Sequence, residues 1–131
     1  MLDKIDHIGI AVENLDEAVE NYKMIFGVDP SFLEDVADQK VKTAGFIVGN
    51  STIEFLQAAD NDSPIAKYVN KNGSGIHHIA YRVENLEQTL SELKKKNVRL
   101  IDEVPRMGAN GKKIAFIHPK STNGVLVELC E

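Results

Sequence analysis

The chain contains the same segment twice, and this restricts its fold more than any other feature. His7-Ile-Gly-Ile-Ala-Val-Glu-Asn-Leu15 returns as His78-Ile-Ala-Tyr-Arg-Val-Glu-Asn-Leu86, 71 residues further on. Thr52-Ile-Glu54-Phe-Leu56 is echoed by Leu126-Val-Glu128-Leu-Cys130, 74 residues further on. The echoes keep their order, so each half is one copy of a module. The period exceeds the roughly 20–50 residues of solenoid repeats, and two copies are too few to stack into one. At 131 residues the chain has the length of one domain built from two such copies. A chain of that size buries about two thirds of its unfolded surface, so it needs no disulfide. With one cysteine it can form none internally.

The module is legible within each copy. Over residues 5–12, His7, Gly9 and Ala11 alternate with Ile8, Ile10 and Val12, the pattern of a half-buried strand. Asn14 then suits a helix N-cap, and Leu15, Ala18, Val19, Tyr22, Ile25 and Phe26 follow at helical spacing, with Gly27 as a stop. The second copy gives a strand over 76–83, Asn85 as cap, a stripe of Leu86, Leu90 and Leu93, and Asn97 near the end. Strand-like runs follow each helix, at 30–35, 41–48 and 51–57, and at 98–103, 112–118 and 124–130. Between the copies, Ser63-Pro64 opens a short helix ending near Asn72-Gly73. The expected class is α+β: one domain over 1–131, with β-α-β-β-β modules over about 4–58 and 75–131 and a linker helix over about 62–73.

One helix covers only one face of a four-stranded sheet. The Ile8/Ile10/Val12 face is the strongly apolar one and meets the helix. The opposite face carries His7, Gly9 and Ala11, and in the second copy His78, Ala80 and Arg82. Related by a pseudo-twofold, two such mixed sheets together enclose a cleft rather than a core.

Strand parity puts His7 and His78 at equivalent positions facing that cleft, and Glu54 and Glu128 likewise on the last strand of each copy. Two imidazoles and two carboxylates suggest one divalent ion, and the mixed set suits Zn, Ni, Co or Mn better than thiolate-seeking metals or Ca. A lone strand histidine is more often structural; here the weight comes from recurrence at matched sites. Glu54 and Glu128 sit inside apolar strands, where an unpaired carboxylate costs several kcal/mol to bury. Each must face solvent or a compensating cation. His77 has the opposite parity to His78 and reads as structural. His118, ahead of Pro119, is the lesser candidate, and Cys130 receives no role.

Net charge −5 and a pI of 5.4 argue against a nucleic-acid partner. Lysines do cluster, at Lys94–Lys96, Lys112–Lys113 and Lys120; the first cluster ends a helix, where cations are favoured. No apolar run approaches the ~20 residues of a membrane span, and the opening Met-Leu-Asp-Lys lacks the apolar stretch of a signal peptide. With a lone cysteine, this leads to the expectation of a cytoplasmic protein with no membrane partner.

These residues carry a resemblance. Duplicated β-α-β-β-β modules with a His and a Glu in each half resemble the vicinal oxygen chelate superfamily, which includes glyoxalase I and extradiol dioxygenases. Within it the chain is similar, along nearly its whole length, to the methylmalonyl-CoA epimerase family. The matching stretches are Asp6-His7-Ile-Gly-Ile-Ala-Val12, Asp62-Ser-Pro-Ile-Ala-Lys-Tyr68, Gly75-Ile-His-His-Ile-Ala80, Gly108-Ala-Asn-Gly-Lys112 and His118-Pro-Lys-Ser-Thr-Asn-Gly-Val-Leu-Val-Glu-Leu129. Glyoxalase I typically ends its second module with an Asp-Pro-Asp-Gly-type turn, which this chain lacks.

The resemblance implies an isomerase that interconverts (2R)- and (2S)-methylmalonyl-CoA by proton abstraction next to the thioester. It implies one divalent metal held by His7, Glu54, His78 and Glu128, with Glu128 and Glu54 as catalytic acid and base, and a homodimer. Lys120 and Ser121 would meet the substrate carboxylate, and Lys112 and Lys113 the CoA phosphates. A Glu that serves one family member as a second base aligns with Thr43. Two alternatives stand beside this reading. One is glyoxalase I (lactoylglutathione lyase) acting on the hemithioacetal of methylglyoxal and glutathione. The other is a non-catalytic drug-binding protein of the same fold.

Overall fold

A computed structural model describes residues 2–131. The first copy comprises β1 (Leu2–Ala11), α1 (Leu15–Phe26), β2 (Phe32–Val36), β3 (Val41–Val48) and β4 (Ser51–Ala58). A linker helix α2 (Pro64–Asn72) precedes the second copy: β5 (Gly75–Val83), α3 (Leu86–Lys95), β6 (Arg106–Met107), β7 (Lys113–Ile117) and β8 (Val127–Cys130). The helices begin where local chemistry supplies caps. The side chains of Asn14 and Asn85 accept from the N–H groups of Glu17 and Gln88, both at 3.0 Å, and Ser63 Oγ accepts from Ile65 N–H at 3.1 Å. Gly27 ends α1 in the left-handed region, at φ 64°.

The copies join edge to edge. β1 and β5 pair antiparallel, so the strands form one sheet in the order β2-β3-β4-β1-β5-β8-β7-β6. Helices α1 and α3 cover its outer face. Under α1 lie Val12, Ala44, Phe46 and Phe55; under α3 lie Val83, Ala115, Ile117 and Leu129. Helix α2 closes part of the inner face, with Ile65 against Ala11, Val36, Val41 and Leu56. The sheet curls until its two ends meet: Asn110 N–H, in the turn between β6 and β7, donates to the Glu34 carboxylate of β2 at 2.9 Å. Among the described residues no helix is long and apolar enough to cross a membrane.

Three expectations are corrected. The run 98–103 is not a strand: it makes a single bridge, Leu100 with Ile117, and the short β6 follows at Arg106–Met107. The reason is local, because the Asp102 carboxylate accepts the Phe116 N–H at 2.9 Å and so takes a bond that a neighbouring strand's carbonyl would make. Pro105 then offers no N–H to a ladder. The last strand begins at Val127 rather than 124, since the N–H groups of Gly124 and Val125 are spent on the turn, on the Pro119 and Thr122 carbonyls. The stripe of α1 is also shorter than its spacing suggests: Ile25 and Phe26 stay exposed, Phe26 edge-on to Tyr22 at 5.1 Å.

Candidate metal centre

Each candidate ligand projects inward from one of the four central strands: Glu54 on β4, His7 on β1, His78 on β5 and Glu128 on β8. All four are at least 95% buried. Small residues stand opposite them in the ladders. Gly9 pairs with both Glu54 and His78, and Ala80 with both His7 and Glu128. A Cβ on Gly9 would fall on the His78 ring, 2.7 Å from Nε2, so this ligand occupies space that only glycine leaves.

His7 is the hub of the cluster. Its Nε2 lies 3.1 Å from His78 Nε2 and 2.7 Å from Glu128 Oε2, and that oxygen is 3.6 Å from His78 Nε2. Its Nδ1 lies 2.9 Å from Asp6 Oδ2 and 3.1 Å from Glu54 Oε2. Three of the four candidates therefore converge at Nε2, while Glu54 sits on the other side of the imidazole beside Asp6. All four still line one cavity of about 10 Å³, the space of a single water-sized atom. Thr43 lines it too, with its hydroxyl committed to the Glu34 carbonyl at 3.1 Å.

The electrostatics follow from three buried carboxylates beside one lysine. Lys112 Nζ lies 2.7 Å from Asp6 Oδ2. Burial opposes ionisation of Asp6, but hydrogen bonds from His7 and Lys112 outweigh it and hold its carboxyl far below the usual range. Burial likewise opposes a charge on His7, yet the carboxylates of Asp6, Glu128 and Glu54 push its protonation up to about 10. Glu54 is raised, by burial first and then by repulsion from Glu128 and Asp6. His78 is driven well below its ordinary value by burial and by the neighbouring His7 charge.

The residues fit a divalent cation. Two nitrogens each about 2.0–2.1 Å from one ion stand about 2.9–3.4 Å apart at octahedral or tetrahedral angles, and the observed separation is 3.1 Å. Glu128 Oε2 is buried 2.7 Å from His7 Nε2, so in the metal-free fold the His7 imidazolium faces it, and a divalent cation bound there would take over that charge. The nitrogen–oxygen set belongs to Zn, Ni, Co or Mn chemistry.

Of the four proposed substrate contacts, the structure brings only Lys112 to the cluster. Lys113 is exposed on the outer face, in a groove it shares with Lys94 and Met107. Lys120 and Ser121 lie in the turn before β8, where Ser121 Oγ accepts the Arg99 N–H at 2.9 Å. His118 sits at that turn as well, accepting the Lys120 N–H at 3.1 Å. Sequence reasoning missed Asp6, and it assigned His77 to the wrong face: Nδ1 of His77 is 2.9 Å from Nδ1 of His78. It also missed Arg106. Beside His78 opens a cavity of about 140 Å³ walled by Val41, Leu56, Ile65, Phe116 and His77, with Arg106 at its border. The Arg106 guanidinium lies 5.6 Å over the Phe116 ring, and its buried Nε forms a long ion pair with Asp102 Oδ1 at 3.5 Å. A polar residue directly before the repeated histidine in both copies, Asp6 and His77, was the available signal for the first two; for Arg106 there was none.

Residues 6–116 match the family model of the glyoxalase/bleomycin resistance protein/dioxygenase superfamily. A Bacillus subtilis protein of uncharacterised role, YqjC, is 45% identical over 99% of this chain and 93% of its own length. The mitochondrial methylmalonyl-CoA epimerase of Dictyostelium discoideum is 43% identical over 98% of this chain and 78% of its own. A solved variant of the Streptomyces coelicolor methylmalonyl-CoA epimerase, in complex with 2-nitronate-propionyl-CoA, superposes with a TM-score of 0.95 at 36% identity, covering 99% of this chain and 94% of that one. A lactoylglutathione lyase of Arabidopsis thaliana is far more distant, at 23% identity over 95% of this chain and 43% of its own. The chain belongs to the glyoxalase/bleomycin resistance protein/dioxygenase superfamily, and within it to the methylmalonyl-CoA epimerase family.

Proposed function

We propose that the chain is a metal-dependent epimerase that interconverts (2R)- and (2S)-methylmalonyl-CoA. The observation that carries this reading is the convergence of His7 Nε2, His78 Nε2 and Glu128 Oε2 beside an apolar cavity bordered by a cation. His7, His78 and Glu128, whose donor atoms converge, would hold one divalent ion of Co, Ni, Zn or Mn type, and Glu54, across the His7 ring, is the fourth ligand we assign to it. Bound there, such an ion supplies Lewis-acid stabilisation of the negative charge that develops on the thioester oxygen.

The remaining chemistry belongs to the protein. Inversion requires a base on one face of the substrate carbon and an acid on the other. Glu128 takes the hydrogen between thioester and carboxylate as a proton. The electron pair of the broken C–H bond passes to the thioester carbonyl as an enolate. Glu54, which burial predisposes to carry a proton, returns one from the opposite face. Arg106 is the cation assigned here to the substrate's free carboxylate, with the apolar walls taking its methyl group. Lys113, Lys120 and Ser121 remain open to the CoA portion outside the cavity, and Lys112 serves Asp6. We further propose a cytoplasmic homodimer. Ile25, Phe26, Ile47 and Val48 are all at least 60% exposed, an apolar surface of the kind that copies of a chain cover on association.

The decisive experiment adds Co²⁺, Ni²⁺, Zn²⁺ or Mn²⁺ to metal-free protein and assays methylmalonyl-CoA epimerisation beside methylglyoxal plus glutathione. Activity with the first substrate is expected, and activity with the second alone refutes the assignment. Glu128→Gln should lower kcat by about 10²–10⁴; near-wild-type turnover with metal bound excludes Glu128 as the base.

A further inference from the structure

Asp6 and His77 occupy equivalent positions of the two copies, each directly before a candidate ligand. Strict alternation would send both to the helix-covered face, yet both lie inside. In the β1–β5 ladder Ile5 pairs with Tyr81 and His7 with Ala80, which leaves Asp6 without a partner. Gly9 pairs with His78 and Ile10 with Ile76, which leaves His77 without one. Each strand thus carries a bulge at the same place in its copy, and a bulge re-aims the extra residue.

The two re-aimed residues do the same thing. Asp6 Oδ2 reaches His7 Nδ1 at 2.9 Å, and His77 Nδ1 reaches His78 Nδ1 at 2.9 Å. In both copies Nδ1 is engaged by the preceding residue and the two Nε2 atoms face each other at 3.1 Å; at His7, Glu54 Oε2 also lies 3.1 Å from Nδ1. Both partners are themselves held from outside the strand pair. Lys112 Nζ fixes Asp6 at 2.7 Å, and the His77 ring packs edge-on against Tyr68, whose hydroxyl donates to the Ile76 carbonyl at 2.7 Å.

On the metal-centre reading above, we infer that Asp6 and His77 are positioning residues, which occupy Nδ1 of His7 and His78 and so assign Nε2 of each as the metal-binding atom. The duplicated bulges are what deliver them. The pair is also unequal. An ionised carboxylate behind His7 makes it the more basic donor, whereas an imidazole behind His78 does not. Two ligands copied from one ancestor position therefore hold the ion with different strength.

The test needs no substrate. Long-range ¹H–¹⁵N correlation spectra of the Zn²⁺-loaded protein report which imidazole nitrogen carries hydrogen; for His7 and His78 this should be Nδ1. Chelator competition should then show Zn²⁺ affinity about tenfold weaker in Asp6→Asn, about a hundredfold weaker in Asp6→Ala and about tenfold weaker in His77→Ala. Metallation at Nδ1 of either histidine overturns the inference, as do folded alanine variants with unchanged affinity. The wild-type spectrum decides the matter even where a variant does not fold. Wild-type protein that takes up no Zn²⁺ overturns the metal-centre reading itself, and this inference with it. Uptake through Nδ1 leaves that reading standing and overturns only the positioning.

Discussion

Gly9 offers the sharpest test of how the cluster is built. A methyl group there would lie 2.7 Å from His78 Nε2 and closer still to Cε1. The closest approach is 2.2 Å, to Cε1, and ordinary contact begins near 3.4 Å, so Gly9→Ala requires the ring to retreat by about 1.2 Å, several times the ~0.2 Å tolerance of a coordination distance. The ring has no free direction, since Phe116, His77 and His7 stand edge-on to it at centroid separations of 5.6, 5.2 and 5.2 Å. Overpacking of this kind costs about 1–3 kcal/mol. An unfolding entropy of about 2.1 cal/mol/K per residue gives roughly 0.28 kcal/mol/K for this chain, so the melting temperature should fall by about 4–11 °C. Zn²⁺ affinity should fall by about a hundredfold or more, as one coordinate bond is lost. Thermal unfolding of metal-free protein and chelator competition measure the two effects. Gly75→Ala is the control on the neighbouring strand, because its Cβ would meet only Tyr68 Oη at an ordinary 3.5 Å. Wild-type stability and affinity in Gly9→Ala would refute the close-approach argument.

Other expectations follow from the buried charges. His7 in the metal-free fold holds its proton up to about 10, above its ordinary 6.5, so that stability is complete below 6.5 and lost as pH rises toward 10. The melting temperature of metal-free protein should accordingly decline between pH 7 and pH 10. A metal needs the neutral imidazole, so loading at pH 7.5 should release about one proton, and affinity should climb about tenfold per pH unit until pH 10. Calorimetry in two buffers of different ionisation enthalpy measures the release; none at all would contradict the charge assignment. Cys130 is buried, and that burial, with Asp6 and Glu128 nearby, pushes its thiol up to about 12. It should resist disulfide-exchange reagents at pH 8 in the folded protein and react on unfolding; rapid stoichiometric labelling of native protein would count against the packing around it.

The alternation at His7, Gly9 and Ala11 was enough to find both the inner face and its four candidate donors, because duplication made each assignment twice. Parity fails only where the ladder slips. The bulges at Asp6 and His77 arise from pairing between the two copies, a long-range event that no local pattern records. The run 98–103 was misread for a similar reason: whether Val98, Leu100 and Asp102 extend a ladder depends on what Phe116 N–H meets, and it meets the side chain of Asp102. Ile25 and Phe26 continue the helical spacing of α1, but spacing does not say how much of a stripe the sheet beneath covers. Arg106 shows no periodicity at all; only the cavity beside it gives it meaning.

The seam between β1 and β5 has a further consequence. The site lies across it, so each copy carries one imidazole and one carboxylate and neither owns a complete set of donors. A polypeptide severed between the copies, near Ser74, would leave two fragments, each with half the ligands and a bare strand edge. Only by recombining along those edges could they bind an ion, and the ion would in turn act as the rivet between them. Assembly of the fold and completion of its chemistry are, in this architecture, a single event.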